Sequence, residues 1–168
     1  PITFSDFEWV VLPDRFEYND NANGFPDPNL ADLSTKLGSL PEITLDRLSI
    51  HGPDDPDTQV VEDTDFFQYT ANATGKLIVN ALFEHEFGDL EMTVLDADGD
   101  IIATSNSSAD DQDYERIIIP VVSQEIYYIQ VNGVSTDEDD CNVNNYVLEI
   151  ENFAAPVPVG VTLSPQSD

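Results

Sequence analysis

Basic residues are nearly missing from this chain. Five Lys and Arg stand against 34 Asp and Glu over 168 residues, a formal charge of -29. Such a surface repels nucleic-acid phosphates and anionic lipid headgroups, so both are disfavoured as partners. It also repels itself, and bound divalent cations or external salt relieve that strain. An extracellular, saline setting fits the balance. Cys141 is the single cysteine, which excludes an internal disulfide and a Cys-rich zinc site. The carboxylate of the adjacent Asp140 disfavours its thiolate, which argues against a nucleophile. His51 and His85 are the two histidines, and neither sits in a zinc-type or triad-type motif. No apolar run reaches the length of a membrane-spanning helix, so no membrane insertion is expected. The chain starts at Pro1 without a basic, signal-like segment and reads as a piece of a longer protein.

What is present is enough for one well-filled core. Nine Phe, six Tyr and one Trp belong to an apolar fraction of 40%, so the acidity does not imply disorder. Helical patterning is confined to a short turn within Asn29–Leu37. Strand patterning is dense. Leu77, Val79, Ala81 and Phe83 form one period-2 series, and Leu90, Met92 and Val94 a second. Tyr146, Leu148 and Ile150 form a third. The runs 65–70, 115–121 and 126–132 are rich in β-branched and aromatic residues, and 42–50 adds an early strand. Thr74-Gly75, Asp98-Gly99 and Asn132-Gly133 read as turns between them. The fold expected is an all-β, jelly-roll-like antiparallel β-sandwich of about eight strands with little helix. Residues 1–13 read as an N-terminal edge strand or linker. Residues 14–153 form the sandwich, and 154–168 a linker to a further domain.

One short segment concentrates side-chain oxygen. Between residues 14 and 20, Asp14, Glu17, Asn19 and Asp20 precede a Gly/Pro/Asn-rich loop. Calcium takes six to eight oxygens from carboxylates and amide carbonyls, and these residues would supply part of such a shell. The alternative is a solvated polar loop. Asp96-Ala-Asp98-Gly99-Asp100 also looks like the start of a calcium loop. Counting Asp96 as first, however, places Ser107 where a bidentate Glu is required, so an Asp-Gly hairpin turn is expected. Asp110, Asp111, Asp113 and the run Asp137–Asp140 read as solvated loops.

Taken in order, several pieces form a recognisable pattern. They are Asp14–Asp20, Asp63-Thr-Asp65-Phe-Phe-Gln-Tyr69, Gly75-Lys-Leu77, the turn from Leu95 to Ala103, Ile126-Tyr-Tyr-Ile-Gln-Val131 and Tyr146-Val-Leu-Glu-Ile150. Over roughly residues 14–152 the chain resembles the bacterial pre-peptidase C-terminal domain. That family is an accessory β-sandwich of secreted peptidases and other extracellular enzymes, and it includes the collagen-binding domains of clostridial collagenases. The resemblance implies a calcium ion held by an N-terminal Glu-x-Glu-x-Asn-Asp segment and by acids at the start of the second piece. Here these are Glu17, Asn19 and Asp20, with one or two of Glu62, Asp63 and Asp65. The first Glu of the motif falls on Arg15, so either Asp14 compensates or the site is weakened or lost. The resemblance also implies exposed aromatics for ligand binding. Tyr127 and Tyr128 are adjacent on a strand, so one is expected to face outward.

The reading that follows is a non-catalytic, calcium-stabilised module of a secreted or surface bacterial protein. Its expected role is substrate or matrix targeting, or domain spacing. Its expected partners are adjacent domains and an extracellular protein or polysaccharide, and the isolated domain is expected to be monomeric. A carbohydrate-binding module is the alternative. A glycosidase, which needs two facing carboxylates with one pKa raised, is a third.

Overall fold

Alternation of buried and exposed side chains generates the strands. In Tyr114–Val121, the residues Glu115, Ile117, Ile119 and Val121 are buried, whereas Tyr114, Arg116, Ile118 and Pro120 are exposed. The computed structural model describes residues 30, 34–51, 64–85, 88–106, 113–134 and 143–156. Among these lie nine strands. They are β1 (Thr35–Gly38), β2 (Glu42–His51), β3 (Thr64–Thr70), β4 (Gly75–Phe83), β5 (Asp89–Leu95), β6 (Ile101–Ser105), β7 (Tyr114–Val121), β8 (Ile126–Val134) and β9 (Val143–Ala154). One sheet has the order β1-β3-β8-β5-β6 and the other β2-β9-β4-β7.

From β2 onward, every connection crosses between the sheets except β5–β6. This is the jelly-roll arrangement of eight strands, with β1 added at one edge. The fold is therefore the expected β-sandwich, with two differences. Most ladders are antiparallel, but β1 pairs with β3 in parallel. A helical turn, closed by the Ser34 N–H donating to Leu30 O at 3.0 Å, delivers β1 to the edge without a hairpin. The short strands β1 and β6 lack an extended period-2 signal, and the sequence reading did not assign them.

The turn expected at Asn132-Gly133 is corrected. Both residues lie inside β8, where Asn132 pairs with Thr64 and Glu91 and Gly133 pairs with Leu90. Central strands on both sides outweigh the local turn preference of the dipeptide. Thr74-Gly75 closes a crossing between sheets. Asp98-Gly99 makes the one hairpin loop, with Gly99 at φ 85°.

Between the sheets, Phe67 and Tyr69 of β3, Met92 of β5 and Ile129 of β8 meet Leu48, Leu77, Leu148 and Ile150 of the facing sheet. Each aliphatic or aromatic side chain so buried contributes about 1.5–3 kcal/mol of transfer free energy. A smaller cluster on the outside of the five-stranded sheet joins Phe66, Leu95 and Tyr128 beneath Leu30. Among the described residues no helix is long and apolar enough to cross a membrane. Residues 1–29 and 157–168 lie outside the described residues, and β9 continues to Ala154.

The two ends of the sandwich differ in chemistry. At one end the connections are knitted by backbone and side-chain bonds. Gln124 N–H donates to Ala71 O at 2.7 Å, Ser123 N–H to Thr74 Oγ1 at 3.0 Å, and Ala73 N–H to Asn152 Oδ1 at 3.0 Å. At the other end four connections leave the strands, comprising residues 52–63, 84–88, 106–113 and 135–142. They contain fourteen Asp and Glu and no Lys or Arg. The strand ends at this pole are thus joined by segments whose sequence is rich in acid.

Candidate functional site

This pole is the candidate site because the three buried acids among the described residues, Asp65, Asp89 and Glu115, stand at its strand ends. Asp65 starts the inward phase Asp65, Phe67, Tyr69 of β3 and is 2% exposed. It accepts a hydrogen bond from the Tyr146 hydroxyl of β9, which ties the two sheets together. Glu115, at the start of β7, is 1% exposed and accepts from Ser105 Oγ of β6. A carboxylate buried in this way is tolerated only with hydrogen-bond donors beside it.

Asp89 completes the group at the start of β5. Asn144 of β9 clamps the 84–88 connection beneath it, with Nδ2 donating to Glu84 O at 3.1 Å and Gly88 O at 2.9 Å. The His85 N–H donates to Asp113 Oδ1 at 3.1 Å. His85 Nδ1 lies 3.5 Å from Asp89 Oδ1, the one ion pair among the described residues when His85 is protonated. Burial pushes the Asp89 carboxyl above its ordinary value of 3.8. Nearby Glu115 pushes in the same direction, while His85 and the Leu90 N–H pull it down.

That shift has a sign for stability. The folded protein holds the Asp89 proton more tightly than the unfolded chain does. The stability Asp89 contributes is therefore present below the ordinary value and is lost as pH rises through the raised one. Asp89→Asn should consequently lose less stability than the parent protein as pH rises above the ordinary aspartate value, as followed by thermal melts. Parallel pH profiles for the two proteins would show that Asp89 does not titrate with folding.

Asp14, Glu17, Asn19, Asp20, Glu62 and Asp63 lie outside the described residues. Asp65 is described, and it is a buried core-face residue at the pole. Among the described residues, no three His, Cys, Asp or Glu side chains are grouped to hold a metal ion. Asp110, Asp111, Asp137–Asp140 and Cys141 also lie outside the described residues, as does the side chain of His51. The Asp96 loop is a hairpin turn, as expected. Asp96 Oδ1 accepts from Asp98 N–H at 2.9 Å and Asp100 N–H at 3.0 Å, so this carboxylate oxygen is occupied by the turn's own backbone.

The expectation of an outward-facing tyrosine on β8 is corrected. The two rings do point to opposite faces, Tyr127 into the inter-sheet core and Tyr128 away from it. Yet Tyr128 is 4% exposed, because Leu30, Phe66 and Leu95 cover it. The strand period sets the direction of the ring, and the neighbouring helical turn decides its exposure. Asp89, Glu115, Asn144 and Tyr146 were not anticipated as site residues. Glu115 carried a legible signal, since it shares the phase of Ile117, Ile119 and Val121. Asp89 carried none in its strand pattern, because the groups that act on it are His85 of the 84–88 connection and Glu115 of β7.

The comparisons place this architecture among known proteins. The chain is similar to the pre-peptidase C-terminal domain of a collagenase from Bacillus anthracis, with 13% identity, a TM-score of 0.45, and coverage of 70% of this chain and 92% of that one. It is similar to a periplasmic inhibitor of g-type lysozyme from Aeromonas hydrophila, at 14% identity and a TM-score of 0.49, covering 70% and 95%. It is also similar to a family 35 carbohydrate-binding module from Clostridium thermocellum, at 13% identity and a TM-score of 0.36, covering 68% and 92%. No curated protein sequence matches it. Residues 63–133 match the family model described as the bacterial pre-peptidase C-terminal domain. That stretch runs from the pole at Asp63 through β3 to Gly133 of β8 and takes in both sheets. Over residues 63–133, therefore, this chain is similar to the bacterial pre-peptidase C-terminal domain.

Proposed function

We propose that this protein is a non-catalytic, calcium-stabilised accessory module of a secreted or surface multidomain bacterial protein. In this reading residues 14–153 form the sandwich, preceded by an edge strand or linker and followed by a linker, and serve substrate or matrix targeting or domain spacing. The observation that carries the reading is the family match over residues 63–133. The donor set supports calcium: Asp14, Glu17, Asn19, Asp20, Glu62, Asp63 and Asp65 offer oxygen alone, as a hard cation requires. Asp65 would hold the ion from β3, and the Tyr146 hydroxyl fixes that carboxylate in place. Bound calcium would supply charge neutralisation at the acidic pole. The carbohydrate-binding alternative asks for coplanar exposed aromatics. Tyr114 and Phe153 share the outer face of the four-stranded sheet, but Lys76 Nζ lies 5.2 Å from the centroid of the Phe153 ring and covers it.

Co-sedimentation with insoluble collagen, cellulose and chitin, alongside a peptide and glycan turnover panel, tests the reading. Retention on one matrix, or on none, with no turnover is the expected outcome. Turnover abolished by a single carboxylate substitution, such as Glu115→Gln, would make the protein an enzyme instead.

A further inference from the structure

The outer face of the four-stranded sheet has two halves of opposite sign. On the β2–β9 half, Glu42 pairs with Glu151, and Glu149 follows two residues away on the same face. On the β4–β7 half stand Lys76 and Arg116, two of the five basic residues in the chain. All of these lie in the phase opposite to the core residues of their strands. Neither Lys76 nor Arg116 forms an ion pair among the described residues. The basic half also carries the open apolar groups. Ile118 is 53% exposed, Tyr114 41% and Leu82 37%.

Such a face is complementary to itself. A two-fold axis along the strands, between β9 and β4, reverses the order β2-β9-β4-β7 in an opposing copy. Each β4 then lies over the partner's β9 and each β7 over the partner's β2, so each basic half covers an acidic half. One patch used twice in this way makes a closed, isologous pair. We propose that this face is an interface between two copies of the chain, a weak dimer in which Leu82, Tyr114 and Ile118 are covered.

The size of the face sets the strength. Four strands spaced by about 4.8 Å, paired over roughly eight residues each, cover about 500 Å² per copy. Two copies reach the roughly 1,000 Å² at which specific interfaces begin, so the dimer forms only at high protein concentration. The net charge of -29 on each copy opposes it. That repulsion acts through solvent over about 10 Å at 0.1 M salt but about 3 Å at 1 M, whereas pairs enclosed in an interface are screened much less. Salt therefore promotes this dimer, and the monomer expected of the isolated domain is its low-salt form. Contact is through the face of the sheet, since the β7 edge is blunted by Pro120 and by Ser105 Oγ, which accepts the Arg116 N–H at 3.2 Å.

Sedimentation equilibrium of the full chain reads the dimer, with chelator present so that the result is independent of calcium. The parent should be monomeric in about 0.1 M NaCl and dimerise in about 1 M. Ile118→Asp should raise the dissociation constant about tenfold or more. A basic-half variant, Lys76→Glu with Arg116→Glu, and an acidic-half variant, Glu149→Lys with Glu151→Lys, should each stay monomeric. An equimolar mixture of the two should restore the dimer. These positions are all on the outward phase, so the far-UV circular dichroism of a β-sandwich should be retained. Tighter self-association of the acidic-half variant than of the parent would show that acidity merely opposes contact, and would overturn the complementarity. A parent that is monomeric at every salt concentration would overturn the interface, as would a dimer indifferent to Ile118→Asp and to both charge-reversed pairs.

Discussion

Calcium should raise the melting temperature of chelator-treated protein by several degrees, and Asp20→Ala should remove most of the gain. An ion held by Glu17, Asn19 and Asp20 together with one or two of Glu62, Asp63 and Asp65 would tie the N-terminal segment to the start of β3. The unfolded chain offers no such convergence, so binding stabilises the folded state by about 2.7 kcal/mol at a hundredfold excess over the dissociation constant. For a chain of this size that corresponds to roughly 5–10 °C. Asp65 provides the structural half of the argument. Its carboxylate is 2% exposed and held by Tyr146, so it is already oriented before any ion arrives. The formal charge of -29 adds to the effect, because carboxylates repel one another until a divalent cation screens them. Sodium chloride at matched ionic strength separates general screening from site binding. Calorimetric titration completes the test. Absence of binding at millimolar calcium would mean that Arg15, standing where the family motif has its first Glu, has turned the metal site into an ion-pair network.

Gly75→Ala should be the most damaging small substitution in the sandwich, costing about 3 kcal/mol, the upper end for overpacking. Gly75 opens β4 between Val121 of β7 and Ala154 of β9. A Cβ there would lie 2.0 Å from Phe153 O and 2.5 Å from Ala155 N. Those atoms belong to the backbone, so no side-chain rotation relieves the contact. The end of β9 must move away, which breaks the Ala155 N–H bond to Thr74 O at 2.9 Å. It also loosens Asn152, whose side chain bridges Ala73 N–H and Lys76 O. Denaturant unfolding of the alanine variant measures the cost. A midpoint equal to the parent's would show that this end of the sandwich tolerates displacement of β9.

These two expectations sit at opposite ends of one molecule. The Gly75 end is closed by backbone bonds between short connections. The Asp65 end holds the buried carboxylates of Asp65, Asp89 and Glu115, and the segments that join the strands there are rich in acid by sequence. Every crossing from one sheet to the other in the jelly roll leaves at one of these two poles, and the segments joined at the Asp65 end hold more acids than those at the Gly75 end.

The sequence by itself determined the fold class and the core, because both follow from period-2 alternation. Leu77, Val79, Ala81 and Phe83 had to share a face, as did Leu90, Met92 and Val94, and only a β-sandwich buries so many such faces at once. It also determined the Asp96 turn, whose bonds are all local. The tertiary structure alone decided which acids are neighbours. Asp89 and Glu115 stand 26 positions apart and meet only because β5 and β7 end at one pole. It alone decided that Tyr128 is covered, since Leu30 reaches it from nearly a hundred residues away. It overruled Asn132-Gly133, where ladders on both sides of β8 outweigh a dipeptide's turn preference. Local preferences are worth about 1 kcal/mol or less per residue, and burial with cross-strand pairing supplies more than that. Alternation along a strand is therefore readable from the chain, whereas burial and proximity are set by strands that only the fold brings together.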